Sequence, residues 1–221
     1  MDYYNDKYVS LKSIISNNLE DIKQIIIKNN ECIEEKFFYY KNTFNRYNDL
    51  IFKQINLFYI GSLLDNKVCQ IGFNGGLALL ILLYGWDDRH PIDITIFDEG
   101  RHRYNKSCFE YINRLFPYIN FQYIEGDYNI EIPRWITQNS RLKYTYNVVH
   151  INSEDTEFTF NNNIDSAIEL VKIKGFIVIE GASKPYINKI INEYISTKQF
   201  IEVFLLKPIG YPHRIIRKIK N

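Results

Sequence analysis

The sequence is short of several things that would each have pointed to a class of protein. Cysteine occurs three times, at Cys32, Cys69 and Cys108. That is too few and too scattered for a disulfide framework or a zinc cluster, and an odd count suits a reducing compartment. An intracellular, cytoplasmic location is the expectation. No apolar run approaches the roughly 18 to 20 residues that a membrane helix needs. The start Met1-Asp2-Tyr3-Tyr4-Asn5-Asp6 has neither a basic stretch nor an apolar signal core, so a soluble chain without a membrane partner is expected. An excess of one charge is also missing: 27 basic residues stand against 26 acidic ones, for a net charge of +1. Bulk nucleic acid and anionic membrane surfaces, which bind through strong net charge, are therefore poor partners, although a local basic patch is compatible with the balance.

What is abundant is Ile, Asn, Lys and Tyr, with 18 Tyr against one Met. All four are encoded by AT-rich codons, so the bias reads as genome composition and single Asn or Tyr residues carry little functional weight. A chain of 221 residues with a 46% apolar share is long enough to bury one continuous core.

Residues 1–65 read as an N-terminal helical extension or cap. Leu11, Ile14, Ile15, Leu19, Ile22, Ile25 and Ile26 recur at three- and four-residue spacings, the stripe of an amphipathic helix. A second helix is expected over 31–42 and a third over 46–64, with Leu50, Ile51, Ile55, Phe58, Tyr59 and Leu63 on one face. These helices read as a cap, as a homodimer surface, or as a cover over one edge of a sheet.

From residue 66 to 221 the pattern changes to short apolar runs alternating with amphipathic stretches, the signature of βαβ units and a parallel sheet. Strands are expected at 68–71, 93–97, 120–125, 146–151, 176–180, 200–207 and 213–218, with helices at 75–84, 105–116, 130–138, 161–173 and 184–197. Pro208-Ile209-Gly210-Tyr211-Pro212 is too short for a crossover helix, so the last two strands should pair as an antiparallel hairpin. The fold class is α/β: a Rossmann-like, doubly wound, seven-stranded, mostly parallel sheet.

The chemistry should lie at the carboxyl ends of these strands, where open α/β sheets bind ligands. Lys67-Val68-Cys69-Gln70-Ile71 runs into Gly72-Phe73-Asn74-Gly75-Gly76 and then into the apolar stretch from Leu77. Such a glycine turn lets backbone approach a ligand at a helix start; it also serves as a tight connection with no ligand. Strand two ends in Asp98, suited to accept hydrogen bonds from ribose hydroxyls. Strand three ends Glu125-Gly126-Asp127, and strand four ends His150-Ile151-Asn152 before the polar loop Ser153-Glu154-Asp155-Thr156-Glu157.

From 67 to 181 the chain resembles the small class I S-adenosylmethionine-dependent methyltransferases. Their motifs read Glu-Ile-Gly-Phe-Asn-x-Gly, a Phe-Asp ending with a nearby His-x-Tyr, Gly-Asp-Ser, and His-Ile-Asp-Gly before a final Asp-Asp. Here the corresponding residues are Ile71-Gly72-Phe73-Asn74-Gly75-Gly76, Phe97-Asp98 with His102-Arg103-Tyr104, Gly126-Asp127-Tyr128, and His150-Ile151-Asn152. The resemblance implies S-adenosylmethionine as cofactor. Gly72, Phe73, Asn74 and Gly75 would surround its methionine part, with Gln70 near the ammonium group; Asp98 would hold the ribose, and Asp127 and Tyr128 the adenine.

Three positions depart from the pattern. Gln70 stands where the family has an acid, Asn152 where the fourth strand has Asp, and Glu180-Gly181 where strand five ends in Asp-Asp. Related enzymes hold magnesium with those carboxylates, and too few oxygen ligands remain here to expect a metal. His150, Glu154 and Asp155, with Glu180 on the same rim, are the catalytic candidates for accepting the acceptor's proton; His150 reads somewhat better as a buried hydrogen-bonded histidine, and Glu154 with Asp155 reads equally as a solvated loop. Arg101-His102-Arg103 reads as a solvated loop or as a phosphate contact. The tail from Arg214 to Lys220 reads as a lysine-protected edge strand or as an RNA contact.

Two functions follow from the resemblance. One is a metal-independent methyltransferase acting on a small-molecule or sugar-like hydroxyl. The other is a module of the same fold that has lost catalysis and binds a protein or RNA partner through the N-terminal helices or the basic C-terminal tail. A nicotinamide-dependent oxidoreductase fits less well, because the Gly-x-Gly-x-x-Gly fingerprint is absent.

Overall fold

A computed structural model describes residues 2–31, 44–86, 91–153, 156–182, 184–203 and 213–221, the side chains of 2–5 and 44–52 excepted. The helix expected over 31–42 lies outside the described residues from 32 onward, as do Glu154, Asp155 and the Pro208–Pro212 connection.

Two helices come first, α1 (Asp2–Lys28) and α2 (Phe44–Gly61), followed by strands and helices in alternation: β1 (Lys67–Ile71), α3 (Leu77–Gly85), β2 (Asp93–Asp98), α4 (Asn105–Leu115), β3 (Asn120–Glu125), α5 (Tyr128–Gln138), β4 (Tyr146–Ile151), α6 (Glu157–Leu170), β5 (Val171–Ile179), α7 (Pro185–Ser196), β6 (Phe200–Glu202) and β7 (Arg214–Lys218). The sheet order is β3-β2-β1-β4-β5-β7-β6. The first five strands pair in parallel, and β7 runs antiparallel to both β5 and β6. Six strands thus point one way and β7 alone is reversed.

Side-chain alternation along the strands divides the core into two layers. Val68, Ile94, Ile96, Val148, Val178 and Ile215 face α1, α2, α3 and α4. Cys69, Ile71, Phe97, Val149, Ile177 and Ile216 face α5, α6 and α7. The central strands β1, β2 and β4 are covered on both sides, which is why β1 and β4 read as continuous apolar runs, whereas the edge strand β3 has no buried residue.

The N-terminal helices share this core. Tyr8, Ile15, Leu19, Ile22 and Ile26 of α1 are buried with Leu57 and Phe58 of α2 and Leu80 of α3. Ile14, placed in the apolar stripe by spacing, is half exposed at its border. The α2–α3 crossing is a backbone-to-backbone contact: a Cβ on Gly61 would lie 2.0 Å from the carbonyl oxygen of Leu82, and one on Gly85 1.9 Å from that of Phe58. Such proximity buries α2 beyond one face, so that residues 53 to 58 are all inaccessible, Lys53, Gln54 and Asn56 included.

Several boundaries differ from the sequence reading: α2 spans Phe44–Gly61 instead of 46–64, α5 begins at Tyr128 and α6 at Glu157. The helix expected to run to residue 173 ends at Leu170, and β5 begins at Val171 instead of 176. An irregularity explains the misreading: register shifts between Tyr146 and Val148 of β4, opposite a β5 segment in which Lys174 has φ +68°, so Lys172 and Lys174 break the apolar alternation inside a real strand. The C-terminal segment, expected at the sheet edge, is interior. It lies between β5 and β6, and Lys218 is buried with its ammonium donating to the carbonyl oxygens of Ile168 and Val171.

Candidate functional site

The carboxyl ends of β1, β2 and β4 converge on the turn that follows β1. Gly72, Asn74, Gly75 and Gly76 all have positive φ, at 82°, 44°, 77° and 76°, the left-handed region that glycine enters without steric cost and that Asn tolerates. At Gly72 no side chain fits, because a Cβ would lie 2.5 Å from the carbonyl oxygen of Asn152. The turn is therefore built on the β4 tip. Asn74 reinforces that contact by donating from Nδ2 to the same oxygen at 2.8 Å.

Asp98, at the tip of β2, holds the turn from the other side. Its Oδ2 accepts from the backbone N–H of Phe73 at 2.8 Å and of Asn74 at 3.4 Å, and Oδ1 accepts from Gly100 N–H at 2.8 Å and from Asn105 Nδ2 of α4. A carboxylate offers about four lone-pair positions, so this side chain, 2% exposed, is engaged by protein donors in all of them. The expected ribose acceptor is thus also the brace of the glycine turn.

The other expected cofactor residues divide by exposure. The Phe73 ring turns into the core, edge-on to Phe109 and Tyr123 at 6.2 and 5.8 Å, so only its backbone faces the turn. Asp127 is exposed and caps α5, accepting from Asn129 N–H at 2.8 Å, whereas Tyr128 is buried. Gly75 has room: the nearest atoms to a Cβ there would be the Tyr104 ring at 3.4 Å and the methyl groups of Ile26 and Ile22 at 3.6 and 3.9 Å. The carboxyl end of α1 therefore roofs the turn. It is clipped in place by Glu31, which accepts from Arg103 N–H at 2.6 Å and pairs with His102 Nδ1 at 2.7 Å. The Arg101-His102-Arg103 segment is accordingly a partner of α1 at two positions, while Arg101 is 68% exposed on its side chain and pairs with Glu99.

Behind the turn lies a buried polar row. Gln70 donates from Nε2 to the carbonyl oxygen of Gly72 at 2.7 Å, and its Oε1 is 2.8 Å from His150 Nδ1. His150 Nε2 is 3.3 Å from Glu180 Oε1, and Glu180 Oε2 is 2.8 Å from Lys53 Nζ of α2. None of the four is more than 7% exposed. Burial works to raise the Glu180 carboxyl, but the Lys53 ammonium, the His150 bond and the nearby His213 outweigh it and hold the group well below the usual carboxylate range. His213 sits opposite Glu180 by continuation of the β5–β7 register from Ile179 and Arg214. Among the described residues neither of its ring nitrogens has a hydrogen-bond partner, and burial pushes the imidazole down from 6.5 to about 4.

Spacing could not have found Lys53, Asn56 or His213. Lys53 and His213 each adjoin another polar residue, Gln54 and Arg214, and only the α2 packing and the sheet register bring these two to Glu180; Asn56 is buried within α2. Of the catalytic candidates, His150 joins this row, whereas Glu154 and Asp155 lie outside the described residues. The described residues contain no group of three or more His, Cys, Asp or Glu side chains able to hold a metal ion.

No family model matches the sequence, and no curated protein matches it. Solved structures do match in fold. An O-methyltransferase from Bacillus cereus in complex with S-adenosylhomocysteine aligns with a TM-score of 0.62 at 14% identity, over 92% of this chain and 91% of that one. CalS11, a TDP-rhamnose 3'-O-methyltransferase of calicheamicin biosynthesis in its apo form, aligns at 0.60 and 12% identity, over 91% and 93%. An rRNA methylase from Streptococcus thermophilus aligns at 0.52 and 13% identity, over 74% and 94%. The seven-stranded sheet with its reversed penultimate strand is the class I methyltransferase fold.

Proposed function

We propose that this protein is an S-adenosylmethionine-dependent methyltransferase that methylates a hydroxyl of a small-molecule or sugar-like acceptor without a metal ion. The observation that carries the reading is the turn after β1, where four consecutive-region residues with positive φ present backbone at the carboxyl edge of a class I sheet, braced by Asp98 and Asn152. Bound there, S-adenosylmethionine supplies an electrophilic methyl group. The chain's part is to hold and orient. Gly72, Phe73, Asn74 and Gly75 would line the methionine part through backbone atoms, because the Phe73 ring is committed to the core. Asp98 would share its carboxylate with a ribose hydroxyl in exchange for its weakest bond, the 3.4 Å one from Asn74 N–H. Asp127, exposed at the start of α5, and Tyr128 behind it would meet the adenine.

Gln70 supports the turn from behind, its amide engaged at both ends. Metal independence is supported by Glu180, whose carboxylate is spent on Lys53 and His150. With no cation to activate the acceptor, the acceleration comes mainly from aligning the acceptor oxygen with the methyl group, and Glu154 and Asp155, which follow β4 in the sequence, are the proposed proton acceptors. The roof formed by α1 over Gly75 would shape the acceptor side.

A second reading, a module of this fold without catalysis that binds a protein or RNA partner, is favoured by the internal engagement of both Asp98 and Gln70. Titration calorimetry with S-adenosylhomocysteine separates the two. Binding that is lost in Asp98→Ala, together with label transfer from S-adenosylmethionine to a hydroxyl panel, is the result expected; no heat at millimolar ligand would leave the second reading standing.

A further inference from the structure

The buried row behind the turn constrains which atoms of His150 carry protons. Strand alternation places Gln70, His150 and Glu180 on the face that also carries Val68, Val148 and Val178, and α2 closes over them with Lys53. A backbone carbonyl oxygen can only accept a hydrogen bond. The Gly72 carbonyl, 2.7 Å from Gln70, therefore takes the amide nitrogen, and the amide oxygen is turned to His150 Nδ1 at 2.8 Å. On the other side of the ring Glu180 is paired with the Lys53 ammonium at 2.8 Å, so it is an ionised, acceptor-only group, and its second oxygen lies 3.3 Å from His150 Nε2. The ring is thus flanked by an acceptor at each nitrogen. In a neutral imidazole one nitrogen is a lone pair, which would face one of those oxygens in a space where His150 is 0% exposed and no bulk water relieves the conflict.

We infer that His150 donates from both ring nitrogens, and that it is a positioning residue linking the Lys53–Glu180 pair of α2 and β5 to the glycine turn through Gln70, not a proton acceptor. Among the described residues the charged and titratable groups facing it are Lys53 from α2, Glu180 just after β5 and His213 just before β7; Gln70 from β1 is neutral. The linkage fixes the amide of Gln70, which fixes the carbonyl of Gly72. A lone pair at Nδ1 would let that amide turn over and set its oxygen against the Gly72 carbonyl, and one at Nε2 would face the Glu180 carboxylate. The sequence motif therefore uses Gln at position 70 because an amide can donate to the turn and accept from His150 at once, which an acid in its ionised form cannot do.

The test needs no ligand, so it is independent of the proposed methyl transfer. Long-range proton–nitrogen correlation spectra of uniformly 15N-labelled protein are recorded at about pH 7.5, a unit above the ordinary histidine value, with His150→Gln used to assign the signals against His90, His102 and His213. Two protonated ring nitrogens on His150 are expected; a neutral tautomer overturns the inference. In Glu180→Gln, whose amide can donate to Nε2, the ring is expected to become neutral, and persistence of both protons would count against the role given to Glu180. Should that variant fail to fold, Lys53→Met combined with Glu180→Gln removes both charges together and carries the same readout. Gln70→Leu cuts the link at the turn: amide exchange at Phe73 and Asn74 is expected to speed up at least tenfold relative to amides of α7, and an unchanged rate refutes the positioning role.

Discussion

Replacing His213 by Phe should make the protein more stable and should remove most of its sensitivity to mild acid. His213 is 1% exposed, and among the described residues neither ring nitrogen has a hydrogen-bond partner. Leaving a buried polar atom unpaired costs about 1 to 3 kcal/mol, which an apolar ring of similar size avoids. The pH effect has a definite sign. Burial, helped by the positive charge of Lys53 and His150 and opposed by Glu180, depresses the folded-state value from 6.5 to about 4. Below 6.5 the unfolded chain takes up a proton that the folded protein refuses, so stability is complete above 6.5 and declines as pH falls toward 4. At about 1.4 kcal/mol per pH unit the loss across that window is about 3 kcal/mol. Urea unfolding of the wild type and of His213→Phe, followed by circular dichroism at intervals from pH 7.5 to 4, measures the difference directly. The gap in favour of the variant should widen by about 3 kcal/mol on acidification. Two curves that stay parallel would refute the claim that a neutral, unpartnered imidazole is enclosed there.

Other perturbations test separate parts of the account. Lys53→Met leaves Glu180, 7% exposed, without its ammonium partner and should cost about 3 to 5 kcal/mol by urea denaturation, most of it recovered when Glu180→Gln is added, since a broken buried pair is worse than none. Gly85→Ala places a methyl group 1.9 Å from the Phe58 carbonyl; α2 and α3 must separate, and a loss of at least about 1 to 3 kcal/mol in thermal unfolding is expected. S-adenosylhomocysteine at about a hundred times its dissociation constant should stabilise the wild type by about 2.7 kcal/mol, visible as a raised unfolding midpoint that Asp98→Ala abolishes.

Much of the architecture was legible in the chain. Short apolar runs at 68–71, 93–97 and 146–151 alternate with amphipathic stretches, and that pattern is set by local physics: strands covered on both faces must be largely apolar, helices that cover them need one apolar stripe, and the edge strand at 120–125 alternates polar with apolar residues. The positive-φ turn was marked by Gly72, Gly75 and Gly76 for the same reason, since few other residues adopt that backbone. Where a local rule was broken, the reading slipped. Lys172 and Lys174 hid the start of β5 because a register irregularity turns them outward within a strand, and Arg214 to Lys218 looked like an edge because alternating charge does not reveal that β6 adds outside it.

The sequence by itself determined the order of strands and helices, the glycine turn and the acidic tips of β2 and β3, because each depends on residues close together in the chain. Tertiary structure alone decided which atoms those residues engage. Asp98 became the brace of the turn through contact with residues 24 and 25 positions earlier. His150 became the centre of a buried row only when β1, β5 and α2 brought Gln70, Glu180 and Lys53 to it from 80, 30 and 97 positions away. Those distances in sequence carry no periodicity, so nothing short of the folded chain could place a lysine from the second helix against a glutamate at the tip of the fifth strand.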